Sequence, residues 1–181
     1  MSIKKITPFP LLETERLALR VLSPDDASDV FDLRSNEENQ AYIDRPLAKN
    51  IQEASDHIDM IVDGIHNQKW INWAITIKGV NKVIGLTGFW NYHETKPQVE
   101  IGYELHPHYQ GKGYMTEATK AILEYGFREM GIRRVQANIH KENAKSIALL
   151  KKFGFMHDVS WIDEDEPEMI LWWVDDEHLV L

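Results

Sequence analysis

The chain has 181 residues, of which 43% are hydrophobic and 10% aromatic, a composition that excludes a disordered protein and suits one domain with a substantial core. Its formal net charge of −9 disfavours a general nucleic-acid-binding protein, because affinity for the phosphate backbone depends on clustered Lys and Arg. Since cysteine is absent, disulfides, thiolate metal sites and acyl transfer through a cysteinyl intermediate are excluded.

The acidic balance also bears on partners and location. An acidic surface attracts cationic acceptors such as amines or basic polypeptide tails, although a role in solubility is the commoner explanation. No segment approaches the roughly 18 consecutive apolar residues of a membrane span. We therefore expect a cytoplasmic protein, a monomer or homodimer, that contacts neither a membrane nor nucleic acid directly.

The first third of the chain predicts a strand and two helices. Residues 17–21 alternate in hydrophobicity as in a half-buried strand, and Ser23 then begins a helix that should end near Ser35. A polar break follows at residues 36–50. Apolar residues at helical spacing predict the second helix beyond it, namely Ile58, Ile61, Val62 and Ile65.

The middle of the chain predicts three strands. Alternation over residues 71–77 and again over residues 83–91 indicates a hairpin, and residues 98–105 form the next strand. Because side chains alternate across a strand, Glu100 and Glu104 point to the same face of that strand.

A glycine-spaced loop at residues 109–118 predicts an anion site. Gly111 and Gly113 let the backbone curl around a phosphate, Lys112 adds positive charge, and a helix from about residue 116 to 130 leaves unpaired N–H groups at its start. The Rossmann fingerprint fails because Thr116 stands where a third glycine is needed, and the GxxxxGK[ST] loop is absent. The glycine pair alone fits an ordinary strand-to-helix turn equally well.

The last third predicts a strand at residues 135–139, then a helix that begins near Asn143 and stops at Gly154. Two closing strands follow at residues 156–162 and 168–174, separated by an acidic turn. The order of the elements indicates a mixed α/β sheet.

Several motifs in combination resemble the GNAT superfamily of acetyl-CoA-dependent N-acetyltransferases. Gln110 opens a Q/R-x-x-G-x-G/A loop, and Asn143 opens an N-x-x-S-x-x-x-x-x-K-x-G-F segment. Further matches are Thr14-Glu15-Arg16-Leu17, Leu19-Arg20 and Glu100-Ile101-Gly102-Tyr103. Together they resemble the RimJ/RimL-like branch, which acetylates the N-termini of ribosomal proteins.

The resemblance implies a fold and a co-substrate. The fold class is α/β (α+β): a single GNAT-like domain over residues 1–181, with a mixed, mostly antiparallel central sheet flanked by helices and splayed beyond Leu105 to admit acetyl-CoA. The residues implied to bind acetyl-CoA are Leu105, Gln110, Gly111, Lys112, Gly113, Tyr114, Met115, Thr116 and Asn143. Met115 departs from the small residue usual at its position, and Asn143 suits a helix N-cap as well as a contact to the pantetheine arm.

The resemblance also implies the catalytic residues. Glu100 matches a position that serves as general base or water-holder, with Glu104 as the alternative and a solvated or ion-paired carboxylate as the structural explanation. The tyrosine that many members use as general acid is replaced by Leu150, so the resemblance assigns Ser146 the role of acid or sulfur hydrogen-bond donor. A helix-face serine bonded to a preceding carbonyl is equally compatible with the sequence.

The acceptor is the least specified part of the prediction. A protein N-terminal α-amine is preferred, and the alternatives are a small amine such as a polyamine or aminoglycoside, or a non-catalytic acyl-CoA-binding module. A group of aromatic residues is able to line an acceptor cleft, although aromatic residues that alternate in strands more commonly belong to the core. They are Trp70, Trp73, Trp90, Tyr92 and His93. His106 and His108 show no ligand spacing, so no metal is expected.

Overall fold

A single eight-stranded sheet organises the computed structural model, which describes residues 7–43, 45–93 and 95–181. The strands are β1 (Leu12–Glu13), β2 (Leu17–Arg20), β3 (Ile71–Ile77), β4 (Val83–Trp90), β5 (Gln98–Leu105), β6 (Arg134–His140), β7 (Met156–His157) and β8 (Met169–Asp175). They lie in the order β1-β2-β3-β4-β5-β6-β8-β7, and each neighbouring pair is antiparallel except β5 with β6. The predicted fold class, a mixed and mostly antiparallel sheet, is confirmed.

Helices cover both faces of this sheet. They are α1 (Ala27–Arg34), α2 (Glu37–Gln40), α3 (Ile51–His66), α4 (Tyr114–Tyr125) and α5 (Ala144–Lys152). The helices α1 and α3 pack with Ala74 and Leu86 on one face, whereas α4 and α5 pack with Trp73 and Phe89 on the other. Among the described residues, no helix is long and apolar enough to cross a membrane.

Strand alternation assigns the residues of β5 to these two faces. Val99, Ile101 and Leu105 belong to the core that contains α4. Glu100 and Glu104 pair across the ladder with Trp90 and Leu86, which pack with the α1 and α3 core. The two carboxylates therefore lie on the face opposite the glycine-spaced loop and its helix.

The boundaries of several elements differ from the prediction. Helix α4 begins at Tyr114 rather than residue 116, because Gly113 adopts a left-handed φ of 82° and forms the N-cap itself. It continues into a π-helical turn, Gly126–Met130, which ends at Gly131 as predicted.

The predicted strand at residues 156–162 was wrong beyond β7. Only Met156 and His157 pair with β8, and the following Val159 and Ile162 are 83% and 78% exposed, so they have no sheet face to pack on. The short elements β1 and α2 were not predicted, because two or four residues carry no measurable periodicity.

Strands β5 and β6 separate partway along their length. They pair at three positions, the last of which joins Glu100 to Gln136. Beyond that pair, β5 continues with β4 to Leu105, whereas β6 continues with β8 to His140. The strands do splay, but they part after Glu100 rather than beyond Leu105 as predicted, because β6 pairs only with β8 from that point on while β5 stays paired with β4.

Candidate active site

The loop before α4 has the geometry of an anion site. After the 3₁₀ turn Pro107–Tyr109, Gly111 and Gly113 take φ values of 74° and 82°, a region that side-chain-bearing residues rarely adopt. The helix begins at the next residue, so its first N–H groups have no intrahelical acceptor and its dipole adds positive potential. The backbone here is arranged to receive a phosphate.

Arg16 holds this loop in place, a role that the sequence did not reveal. Glu117, in the first turn of α4, accepts hydrogen bonds from Thr14 Oγ1 at 2.5 Å, from the Arg16 backbone N–H at 2.8 Å and from Arg16 Nε at 2.7 Å. Arg16 Nη1 also donates to the carbonyl of Lys112 at 2.9 Å. The motif that contains Thr14 and Arg16 thus clamps the loop to the first turn of its helix.

The clamp keeps Glu117 ionised. Burial alone raises the pKa of this carboxyl, but hydrogen bonds from Thr14 and Arg16 and the charge of Arg16 outweigh it, so the pKa of Glu117 lies below its ordinary value. The Arg16 guanidinium also lies 4.5 Å from the centre of the Tyr114 ring. The negative charge of Glu117 is therefore offset locally where a phosphate would bind.

Gln110 connects the loop to both sides of the splay. Its Nε2 donates to the carbonyl of Leu105 at 2.9 Å, and its Oε1 accepts from Lys145 Nζ on α5 at 2.8 Å. Lys112 Nζ donates to the carbonyl of His108 at 2.8 Å. The structure thus brings the predicted Leu105 and Gln110 together and adds Lys145 as a second cation beside the loop.

The remaining predicted cofactor residues lie at the N-terminal ends of α4 and α5. Met115 and Thr116 are half-buried in the first turn of α4. Asn143 is the N-cap of α5, and its Oδ1 accepts from the Ser146 backbone N–H at 3.1 Å.

The two carboxylates of β5 differ in their partners. Glu104 is 8% exposed and pairs with Arg45, whose Nη1 donates to Oε1 at 3.1 Å while Nη2 contacts Oε2; Asn39 Nδ2 also donates to Oε2 at 3.1 Å. Glu100 is half-buried and accepts from Asn91 Nδ2 at 2.7 Å. Within the described part of the chain, no cation forms an ion pair with Glu100.

The surroundings of Glu104 carry positive charge. Burial lowers the pKa of the Arg34 guanidinium, and the charge of Arg45 lowers it further, whereas Glu104 acts in the opposite direction. Burial, Arg34 and Arg45 together lower the pKa of His57 to about 3, so this histidine is neutral. The sequence analysis did not single out Arg34, Arg45 or His57. They come from α1, from the segment between α1 and α3, and from α3, so they are far from β5 in the sequence.

Tyr103 lies on the other face of β5, beyond the last pair with β6, and Ser146 of α5 is its neighbour. Burial raises the pKa of the Tyr103 phenol to about 12, and the neighbouring Ser146 side chain offsets part of that rise. The Tyr103 hydroxyl is nevertheless buried without a partner in hydrogen-bond geometry. Leu150, at the position of the missing tyrosine, is fully buried in the core.

Most of the aromatic residues considered for an acceptor cleft belong to the core. Trp73 is fully buried, and its Nε1 donates to the carbonyl of Pro10 at 2.9 Å. Trp70 and Trp90 pack against each other with ring centres 5.1 Å apart beside the α1 and α3 core. Groups of three or more metal-ligating side chains are absent from the residues that the structure describes.

Comparison with known proteins shows sequence similarity to acetyltransferases. The Acetyltransferase (GNAT) domain matches residues 16–156. An uncharacterized N-acetyltransferase of Bacillus subtilis, YoaA, is 32% identical over 147 residues, which cover 81% of this chain and 83% of that protein. The spermidine N(1)-acetyltransferase of Escherichia coli is 28% identical over 137 residues, which cover 76% of this chain and 71% of that enzyme.

Solved structures add the same architecture at lower sequence identity. The structure of RimL, a ribosomal-protein alpha-N-acetyltransferase, in complex with coenzyme A superposes with a TM-score of 0.79 at 18% identity. The superposition covers 92% of this chain and 98% of that one.

Proposed function

The chain belongs to the GNAT family of N-acetyltransferases, and from this premise we propose that it transfers acetyl from acetyl-CoA directly to the α-amine of a cytoplasmic protein N-terminus. The enzyme class follows from the family; the donor site, the catalytic residues and the acceptor are our proposals. A non-catalytic acyl-CoA-binding module, which rested only on the missing tyrosine, has no support from these relatives.

The residues around the splay fit acetyl-CoA. Residues 110–116 offer the pyrophosphate a glycine-lined backbone and a helix N-terminus, with Lys112 and Lys145 as cations at its edge. The opening between β5 and β6 gives the pantetheine arm a passage between strands. We propose that Leu105 on β5 and Asn143, the N-cap of α5, contact the arm in this passage. Bound acetyl-CoA supplies a thioester that is already activated for transfer.

Glu100 is the proposed base on the opposite face of the sheet. An α-amine has an ordinary pKa of about 7.7–8.0 and must lose a proton to react, either to a carboxylate or through a water held by one. Glu100 stands at the last residue pair before the strands part, and among the described residues its carboxylate accepts a hydrogen bond only from Asn91. Glu104 is occupied by Arg45 and is set aside as base.

The ion pair between Arg45 and Glu104 is the observation that carries the choice of acceptor. A polyamine keeps several positive charges, with primary amine pKa values near the lysine value of about 10.4, and needs several anions to hold it. Here one of the two strand carboxylates is paired, and Arg34 adds positive charge beside it. A single amine of lower pKa fits this face better.

A small amine is the second candidate, favoured by the sequence similarity to the spermidine enzyme. The acidic α3 surface that carries Asp56, Asp59 and Asp63 would offer such a cation an electrostatic approach, since these carboxylates line one surface depression. This surface lies on α3, whereas Glu100 lies on β5.

The experiment is release of CoA thiol from acetyl-CoA with three matched acceptors. They are a peptide with a free N-terminus and no lysine, the same peptide N-acetylated with a lysine added, and spermidine; mass spectrometry then locates the acetyl group. We expect turnover with the first peptide and little with the second, with the Glu100→Gln variant as the catalytic control. Turnover with spermidine alone would contradict the proposed acceptor while leaving acetyl transfer intact.

A further inference from the structure

The Tyr103 hydroxyl is a buried polar group that the proposed mechanism has not used. It lies on β5, three residues beyond the last pair with β6, and on the face that packs with α4 and α5. Its oxygen is shielded from solvent and has no partner in hydrogen-bond geometry. A buried hydroxyl without a partner costs free energy of folding, so a hydrogen bond formed by this hydroxyl when substrate binds would recover that cost.

Ser146 is the neighbouring residue whose Oγ is able to accept a hydrogen bond from this hydroxyl. It lies in the first turn of α5, where Asn143 Oδ1 accepts from the Ser146 backbone N–H at 3.1 Å, and α5 packs on the same face of the sheet as Tyr103. The nearness of the Ser146 side chain also offsets part of the rise in the pKa of Tyr103. Ser146 has one proton and two acceptor lone pairs. If another group donates to Ser146 Oγ, the serine proton is free to point elsewhere.

We propose that Tyr103 is a positioning residue for acetyl transfer: its hydroxyl donates to Ser146 Oγ and turns the Ser146 proton toward the thioester sulfur. Catalytic hydrogen bonds are often long in the free enzyme and shorten when the substrate binds. This inference rests on the proposed acetyl-CoA site, but not on which amine is the acceptor.

The chemistry needs a donor at that sulfur. When the amine nitrogen forms its bond to the acetyl carbon, the carbon–sulfur bond breaks and its electron pair leaves on sulfur. The amine proton departs on the Glu100 face, and the thiolate later takes a proton from water, so the protons balance. Because burial raises the pKa of Tyr103 to about 12, the phenol keeps its proton at working pH and is able to donate it to Ser146 Oγ. Leu150 lacks a hydroxyl and leaves this task to other residues.

The test measures the thiol pKa of bound CoA from the ultraviolet absorbance of its thiolate, with no acceptor and no turnover. The variants are Ser146→Ala, Tyr103→Phe and both together. Tyr92→Phe is the matched control, because the Tyr92 hydroxyl is also buried without a hydrogen-bond partner and follows β4 near the paired end of β5. Lys145 is unchanged in every variant, so its charge cancels in the comparison.

We expect Ser146→Ala to raise the bound thiol pKa by about one unit and Tyr103→Phe to raise it by somewhat less. The double variant should match Ser146→Ala, because Tyr103 acts through Ser146. Tyr92→Phe should match the wild type, and thermal unfolding should show all variants folded.

Two results would overturn the proposal with the acetyl-CoA site intact. One is a Tyr103→Phe variant that binds CoA with the wild-type thiol pKa, and the other is a double variant whose effect is the sum of the two single ones. A wild-type protein that binds no CoA would overturn the site itself, and this outcome is distinguishable from the other two.

Discussion

The loop that precedes α4 and the acceptor face of β5 are held in place by different kinds of contact. The loop takes its shape from its own glycines and the helix that follows, and Arg16 adds a clamp from outside. On the acceptor face, Glu104 is fixed by Asn39 and Arg45, which come from the segment between α1 and α3. The loop is therefore shaped largely by neighbouring residues, whereas the position of Glu104 depends on residues that are distant in sequence.

The largest expected effect separates the two carboxylates of β5. Glu100→Gln should lower kcat roughly 10²–10³-fold, because an amide cannot accept the amine proton. The affinity for acetyl-CoA should stay unchanged, since Glu100 lies on the face opposite α4. Steady-state kinetics with calorimetric measurement of acetyl-CoA binding checks both statements. A parallel loss of binding would place Glu100 in the donor site instead.

Glu104→Gln should act on stability rather than on chemistry. The pair with Arg45 is largely buried, with side-chain exposures of 19% for Arg45 and 8% for Glu104, so the substitution removes a buried, charge-assisted contact of the guanidinium. We expect a loss of about 2–4 kcal/mol in the free energy of unfolding, measured with urea. The double variant Glu104→Leu with Arg45→Met should recover most of it. If the Glu104→Gln protein were stable but without turnover, Glu104 would be the base and Glu100 the structural carboxylate, contrary to the proposal.

Two glycine variants test the donor loop with a matched control. Gly113→Ala and Gly79→Ala both place a side chain at a left-handed φ, 82° and 77°, and each should cost about 1 kcal/mol of stability. Only Gly113→Ala should also weaken acetyl-CoA binding, by about tenfold. An added Cβ at residue 113 would lie 3.3 Å from Nη2 of Arg16, the residue that holds the loop, whereas a Cβ at residue 79 has no atom within 4 Å. Equal acetyl-CoA affinities for the two variants would contradict the placement of the phosphate.

The smallest expected effect concerns the clamp, and it depends on pH. Since the pKa of Glu117 is lowered in the folded protein, its contribution is complete above the ordinary value of 4.5 and is lost as the pH falls through the lowered pKa. Glu117→Gln should therefore cost about 1 kcal/mol at neutral pH. Urea unfolding of both proteins from pH 7 to pH 3 should show the difference shrinking at the acidic end. A constant difference would mean that the charge of Glu117 is irrelevant to the clamp.

The sequence predicted the features that depend on neighbouring residues. Strand alternation predicted that Glu100 and Glu104 share one face, and the glycine spacing predicted a turn immediately before α4. Helix stops at Gly131 and Gly154 were also recognisable, and both take left-handed φ values of 75° and 80°. Such signals are local, because a turn conformation or a side-chain periodicity is determined by residues that lie close together in the sequence.

The contacts that decide the roles of these residues are not local. Arg45 reaches Glu104 across 59 positions, and Arg16 reaches Glu117 across 101. Neither pair leaves a periodic signature, so the sequence left Glu104 as an open alternative to Glu100. The same holds for Tyr103, whose nearness to Ser146 depends on where α5 packs against the sheet.

The short pairing of β5 with β6 lies between the strands from the first part of the chain and those from the last part. The first five strands end at Leu105, the last three begin at Arg134, and three residue pairs join the two parts. The proposed active cleft is thus a joint between two consecutive chain segments, and the turn at Gly131 lies in the connection between them. A substitution at that turn, far from any reacting atom, should alter turnover by changing the width of the cleft.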